Sequence, residues 1–369
     1  MGSMLSLPER HSLVNQTSAV LRQEIGLGTW RRLLPGERQL CESLQVSRNT
    51  LRAALAQLKR EGLVTTVPGA GTKILAKSGR QQNLLRSHDV AMLSPDPLEQ
   101  LRPTHTLWID ELRGLLSERG CRVRFFHGLQ YFRGASGSAL DKLVKQNPHG
   151  CWIPIFSNEG TQRWFERNKI PCVVAGSLYP GVNLPFRDID HKAVCRHAVG
   201  VMLSLGHRRI ALLIRKSLRA GDLESEAAFK EAAHQSPHVG VEPIVVYHQA
   251  TYPTICTSLR RLMEAKDPPT ALLVANPYHY LTAVTWLTGS GWRVPQRISV
   301  VSRDEDSFLS FVHPPVARYV VAPHVMAKAL LKPIFEILRG GGTGHHTGWI
   351  MPNFIRGGTL AAPPTIGNP

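Results

Sequence analysis

Ser47, Arg48, Asn49, Thr50 and Arg52 crowd the start of a stretch in which Leu51, Leu55 and Leu58 recur at helical spacing. The leucines predict one buried stripe. Ser47 is placed to cap the helix by accepting a free N–H two or three residues on. Arg48 and Arg52 stand one turn apart on another face and can enter a groove together. A guanidinium is a planar fork of donors that suits guanine edges and phosphate oxygens. A hydroxyl at a helix start donates to phosphate. The chemistry open to this stretch is recognition of a polyanion rather than bond making. The same spacing also suits an ordinary solvated helix face, so the surrounding elements decide.

Those elements are legible. Leu13 to Ile25 carries apolar residues at helical spacing, with Gly26 and Gly28 as stop signals. Pro35 starts a new element, and Glu37 to Leu44 is a short helix burying Leu40, Cys41 and Leu44. Gly62 ends the arginine-bearing helix. Leu63 to Val67 and Thr72 to Leu75 then predict two strands joined by Pro68-Gly69-Ala70-Gly71. The order is helix, helix, helix, hairpin.

That order, with Leu34-Pro35-x-Glu37-Arg38-x-Leu40, Val46-Ser47-Arg48-x-Thr50-x-Arg52-x-Ala54-Leu55, Leu58-x-x-Glu61-Gly62-Leu63 and Gly69-x-Gly71-Thr72, closely resembles the GntR-type winged helix-turn-helix. The resemblance implies a DNA-binding head over residues 5–76, working as a homodimer on a palindrome-like double-stranded operator. It implies that Arg38, Arg48, Thr50 and Arg52 face DNA, and that Gly69 and Gly71 let the wing approach the minor groove. Ser47, Asn49, Thr72 and Lys73 complete the expected DNA-binding set. Cys41-Glu42 departs from the small residues more usual after Leu40, on the supporting helix.

The bulk numbers set the frame. The 369 residues predict two or three domains, and 43% hydrophobic with 19% charged residues is a globular composition. No apolar run is long enough to cross a bilayer, and no basic-then-apolar leader opens the chain, so a cytoplasmic location is expected. Six scattered cysteines without a Cys-x-x-Cys pair predict reduced thiols. The formal charge of +17 favours a polyanionic partner. Residues 1–76 contribute only +5 of it and the remainder +12, so the charge is not concentrated in the head.

A polar stretch at 77–88 predicts a linker. From residue 89 to 369, short apolar runs alternate with helical segments. The strands expected are 90–93, 122–126, 151–156, 171–175, 209–214, 244–247, 271–275, 298–302 and 316–321. The helices between and after them are 106–119, 140–146, 159–168, 191–205, 224–234, 255–264, 278–290 and 323–338. Repeated βα units mean parallel sheets wrapped by helices, and the length calls for two α/β lobes. Leu205-Gly206-His207-Arg208-Arg209-Ile210-Ala211, Pro269-Thr270-Ala271, Gly291-Trp292-Arg293-Val294-Pro295, Ile298-Ser299-Val300-Val301 and Asp304 resemble the LacI-type effector domain. That resemblance implies a two-lobed, periplasmic-binding-protein-like fold with three crossovers, closing on a small molecule such as a sugar, nucleoside or other metabolite. A GntR-type head on such a body resembles the arabinose-repressor arrangement.

Open α/β sheets bind ligands beyond the strand C-termini. The effector-binding candidates are therefore Ser94, Asp96, Ser157, Asn158, Asn276 and Asp304. By the resemblance, Asp304 is the aspartate that accepts hydrogen bonds from ligand hydroxyls. An Asp or Asn after a strand is also ordinary turn chemistry. Two departures stand out. The family's usual Arg-x-x-Gly falls on Ser225-Glu226-Ala227-Ala228, which has no arginine, and Asn276 is followed by Pro277 rather than Asp.

Other chemistry finds little support. His345-His346 sits in a Gly-rich loop without a neighbouring carboxylate, so no metal is expected. Gly340 to Gly344 lacks the Lys-Ser/Thr of a phosphate loop, and Ser136-Gly137-Ser138 lacks the context of a nucleophile elbow. No cofactor and no membrane partner are expected. The chain reads as a ligand-responsive, DNA-binding transcription regulator, a repressor by preference. The alternatives are a constitutive DNA-binding regulator whose C-terminal domain only dimerises and, less favoured, an enzyme.

Overall fold

The computed structural model describes residues 13–27, 30, 33–67, 71–75, 88–133, 137–340 and 348–364. The chain divides into two compact units, residues 1–86 and 87–369. In the first unit, α1 (Leu13–Leu27), α2 (Glu37–Leu44) and α3 (Arg48–Arg60) precede an antiparallel hairpin of β1 (Val64–Val67) and β2 (Gly71–Ile74). Leu21, Leu40, Leu51, Ala54, Leu58 and Leu63 form its core, while Cys41, Leu44 and Leu55 are only half-buried at its margin. Gln45 takes a left-handed conformation that closes α2, and its N–H reaches the carbonyls of Cys41 and Glu42. The Arg22 guanidinium forks onto the Glu61 carboxylate at 2.7–3.1 Å and ties α1 to the end of α3.

The second unit is α/β throughout. Its first lobe runs β3 (Val90–Ser94), α4 (Pro103–Ser117), β4 (Val123–His127), α5 (Gly137–Gln146), β5 (Cys151–Pro154), α6 (Glu159–Arg167), β6 (Val174–Ala175) and β7 (Phe186–Ile189). Its second lobe runs α7 (His191–Ser204), β8 (Arg209–Arg215), α8 (Ala220–His234), β9 (Glu242–His248), α9 (Tyr252–Met263), β10 (Ala271–Val274), α10 (Pro277–Gly289), β11 (Ser299–Ser302) and β12 (Ala317–Val320). The chain then returns to the first lobe for α11 (Pro323–Leu338) and β13 (Trp349–Ile350), and ends in the second with β14 (Asn353–Ile355). Among the described residues the lobes are thus joined by three crossovers, at 189–191, 320–323 and 350–353.

The second lobe is a six-stranded sheet in the order β14-β12-β11-β10-β8-β9, parallel except for β14. The first lobe orders its strands β4-β3-β5, and parallel bridges from Trp152 and Ile155 carry it on to β6, β7 and β13. Helices cover both faces of the second sheet: α7 and α8 pack with Ile210, Leu212 and Leu273, and α9 and α10 with Ala211, Leu213 and Leu272. Central strands buried on both sides explain the uninterrupted apolar runs.

Several boundaries differ from the sequence reading. The helix expected from Thr106 begins at Pro103, because proline suits the first helical position. The helix expected from Glu224 begins at Ala220. The strand expected at 151–156 stops at Pro154, since Phe156 turns to a φ of 51°. The strand expected at 171–175 is reduced to Val174–Ala175, and β7, β13 and β14 are short additions. Most of the expected linker, the wing tip with Gly69, and His345-His346 lie outside the described residues.

Candidate DNA-binding surface and ligand cleft

In the head, Ser47 caps α3 by accepting the Thr50 N–H at 3.1 Å. This cap fixes where the helix starts, and therefore which side chains leave its first turn. Arg48, Asn49 and Arg52 are exposed there, and Thr50 is half-buried with its hydroxyl 2.8 Å from that of Ser47. Arg52 donates to Glu37 at 3.0 Å across to α2, whereas Arg38 meets Glu42 at 3.6 Å. Arg48 has no carboxylate within ion-pairing reach among the described residues. The hairpin register sets Thr66 opposite Thr72 and Val67 opposite Gly71, so Gly71, Thr72 and Lys73 follow its turn. Gly71 has a φ of 86°, a conformation that favours glycine. Leu33 bridges Lys73, and the Leu34 N–H donates to the Thr72 carbonyl at 2.9 Å, so the hairpin is fastened to the segment leading into α2.

In the body, the loops after β3, β5, β6, β8, β10 and β11 converge on a cavity of about 510 Å³ between the two lobes. Four of the six sequence candidates line it: Asp96, Ser157, Asn276 and Asp304. Ser94 and Asn158 do not. Ser94 is fully buried, and its hydroxyl accepts the Asp96 N–H at 3.2 Å. Asn158 caps α6 through the Thr161 N–H at 2.9 Å and donates to the Phe132 carbonyl. Both perform the turn and cap chemistry that the same residue types permit. Asn276 also caps its helix, accepting the Tyr278 N–H at 2.9 Å, yet stays in the cavity wall.

Asp304 is the centre of a buried ionic network. Its Oδ1 accepts Arg303 Nε at 3.2 Å, and its Oδ2 meets Arg303 Nη2 at 3.3 Å and Arg102 Nη2 at 3.5 Å. Burial alone would push this carboxyl up, but Arg303 and Arg102 outweigh burial and hold it well below the usual carboxylate range. Arg102 also donates to His105 Nε2, and burial followed by the Arg102 charge pushes that imidazole down to about 3. Both oxygens of Asp304 already face guanidinium donors, which narrows its expected role of accepting from ligand hydroxyls.

The helix position that lacks the expected arginine is Ser225, and a guanidinium nevertheless reaches it: Arg303 Nη1 donates to Ser225 Oγ at 2.8 Å and meets Asp222 at 3.4 Å. Arg102, His105, Arg215, Arg219 and Arg303 are cavity residues that the sequence reading missed. The available signal was an arginine in the Ser-Arg-Asp that closes an otherwise apolar strand.

Arg102 belongs to the first lobe and Asp304 to the second, so their ion pair spans the cleft. Thr104 Oγ1 also donates across it to the Glu305 carbonyl at 3.2 Å, and the Tyr179 hydroxyl to the Leu218 carbonyl at 2.7 Å. The Arg219 guanidinium lies 5.3 Å from the ring centre of Phe156 on the opposite lobe. Phe156 holds a left-handed backbone, a costly conformation for an aromatic residue that tends to mark functional sites. Asp188 accepts the Ser177 hydroxyl at 2.7 Å, and His191 Nε2 lies 3.7 Å from the same carboxylate.

Comparison with known proteins agrees with both halves. Residues 13–74 match the family described as bacterial regulatory proteins, gntR family, and residues 199–360 match the periplasmic binding protein-like domain. The HTH-type transcriptional regulator CelR of Thermobifida fusca is 24% identical over 86% of this chain and 89% of its own length. The arabinose metabolism transcriptional repressor of Halalkalibacterium halodurans is 26% identical over 74% of each chain. Among solved structures, a CelR–cellobiose complex superposes with a TM-score of 0.65 at 20% identity, covering 95% of this chain and all of that one. A LacI regulator of Bacillus cereus subsp. cytotoxis gives 0.66 at 17%, over 74% of this chain and 98% of that one. The chain is a transcription regulator that joins an N-terminal DNA-binding domain of the gntR family to a periplasmic-binding-protein-like domain.

Proposed function

We propose that the chain is a cytoplasmic, homodimeric repressor that acts by binding rather than catalysis, and whose operator affinity is set by a small molecule held between the lobes. The proposed organisation is a DNA-binding head at 5–76, a linker at 77–88 and an effector-binding and dimerising body at 89–369. The observation that carries the regulatory part is the cleft, whose two walls belong to different lobes and meet through Arg102 and Asp304. A ligand seated there contacts both walls, so it favours one lobe arrangement over another and biases whatever is coupled to it. In the head, Arg48 is the residue proposed to read a base. It is exposed in the first turn of α3 and, unlike Arg38 and Arg52, has no carboxylate partner among the described residues. Ser47, Asn49, Thr50, Thr72, Lys73, Gly69 and Gly71 are proposed to position the head on the backbone.

The saturation of Asp304 favours one second reading, in which the body only dimerises. The proposal is tested with duplexes selected from a random pool by the full chain at about physiological salt, where nonspecific phosphate binding is weakened. Arg48→Ala is expected to weaken binding to the selected duplex by about 1–3 kcal/mol and to relax preference at one base position. Failure to enrich any sequence, or unchanged affinity and preference in the variant, contradicts the respective parts of the reading.

A further inference from the structure

The cations of the cleft fall into two groups. Arg303 is paired with Asp304 and Asp222, Arg102 meets Asp304 through Nη2, and Glu305 is paired with Arg318. Arg215, which ends β8, and Arg219, which immediately precedes α8, stand on the same wall. Neither meets a carboxylate within ion-pairing distance among the described residues. Burial and then the neighbouring Arg215 charge push Arg219 below the ordinary arginine range, with Asp222 and Asp96 pulling more weakly the other way. Two like charges gathered in a half-buried cavity without a directly paired carboxylate are unfavourable, and an anion seated between them relieves the repulsion. The start of α8 adds to the same corner. It has no side-chain cap, and Ala220 and Gly221, its first residues, are in the cavity wall. Gly221 has no room for a side chain, since a Cβ there would meet the His191 ring at 2.8 Å and the Ser177 hydroxyl at 3.3 Å.

The rest of the cavity has a different character. Asp96, on the first lobe, has no lysine or arginine within ion-pairing distance among the described residues, and Asp188 has only His191. These carboxylates offer acceptors suited to hydroxyl groups. Trp108, Phe156 and Tyr278 supply apolar surface between the polar walls. The volume is that of a small-ligand pocket.

We propose that the effector is a sugar-like polyol carrying one anionic group, phosphoryl or carboxylate, with the anion seated between Arg215, Arg219 and the start of α8 and the hydroxyls toward Asp96 and Asp188. This rests on the reading of the cleft as an effector site. It narrows the small molecule to a charged one, because a charge-assisted fork from two guanidiniums is the strongest contact this cavity offers.

The test is titration calorimetry and thermal melting of the full chain with hexose and pentose phosphates, the corresponding sugar acids, their neutral parent sugars, and inorganic phosphate. The expected result is that at least one sugar phosphate or sugar acid binds about tenfold or more tightly than its neutral parent. That preference is expected to vanish in Arg215→Gln/Arg219→Gln, with a cooperative ligand-free melt showing that the variant is folded. An exposed-arginine variant, Arg297→Gln, should keep the preference, which separates the cleft from general anion binding by a basic chain. Sugar phosphates against sugar acids identify the source of the charge. Binding of neutral sugars as tightly as charged ones, inorganic phosphate binding as tightly as any sugar phosphate, a preference that survives the double variant, or no binding by any charged sugar overturns the proposal. Operator affinity measured in the same samples keeps the readings apart. A neutral sugar that binds and alters operator affinity defeats the anionic effector while sustaining the sensor.

Discussion

Asp304 shows how a side chain can be located from sequence while its partners are not. Its place after an apolar strand marked it as a cleft residue, and it is one. Its partners, Arg102 and Arg303, were not marked, because an arginine that pairs across the fold leaves no local pattern. Ser94 and Asn158 had the same local signature as Asp304 and turned out to serve a turn and a helix cap. Strand-end position therefore locates a neighbourhood, and only the three-dimensional partners separate a wall residue from a structural one. The network makes a pH prediction. The Asp304 carboxyl lies below its unfolded value, so its contribution is fully present above about pH 4 and is lost as pH falls from there toward the folded value. Asp304→Asn should cost about 3–5 kcal/mol at neutral pH, because it leaves Arg303 buried without its main counter-ion, and should flatten the acid limb of stability against pH. Asp96→Asn, which breaks no ion pair, should stay within about 0.5 kcal/mol of the parent. Chemical denaturation of both variants between pH 3 and 7 checks this; equal stabilities would remove Asp304 from the centre of the network.

Elements were more legible than partners. Helices α1, α2 and α3 and the hairpin follow from leucine spacing, a serine cap and glycine signals, which are local, although α1 runs through Gly26 and Leu55 is only half-buried. The buried central strands β8, β10 and β11 followed from apolar runs for the same reason. Strands β7, β13 and β14 did not, because they are short and only partly buried, and Arg187, Asp188 and Asn353 interrupt any apolar run that would separate strand from loop. Yet β13 and β14 set the third crossover, and β14 closes one edge of the second sheet. The return segment after β14 packs tightly. A Cβ on Gly357 would lie 2.2 Å from the Pro315 carbonyl oxygen and 2.3 Å from the Val316 carbonyl carbon, both backbone atoms that cannot rotate away. Thr359 then bonds to the Val300 carbonyl and the Ala317 N–H, fastening β11 to β12. Gly357→Ala is expected to destabilise the chain by about 1–3 kcal/mol or more, through the overpacking that a core without slack produces. A melting temperature equal to the parent's would show that this segment yields more easily than its geometry implies.

At the scale of the molecule, the charge of +17 carried little information about which residues meet DNA, because most of it lies outside the head. What identified the architecture was two independent sets of motifs, one per unit, each consistent with its own fold. The cleft is the less legible half: its frame followed from alternating strands and helices, while its ionic lining did not. The account joins the halves by linkage, in which a ligand that prefers one lobe arrangement must alter operator affinity by the same free energy with which the operator alters ligand affinity. The most direct test is fluorescence anisotropy of the full chain on its selected operator, with and without saturating amounts of the compound that most raises its melting temperature. Operator affinity is expected to change by about 5–150-fold, matched by an equal change in ligand affinity when operator is present. A ligand that binds in the cleft and leaves operator affinity unchanged would contradict it.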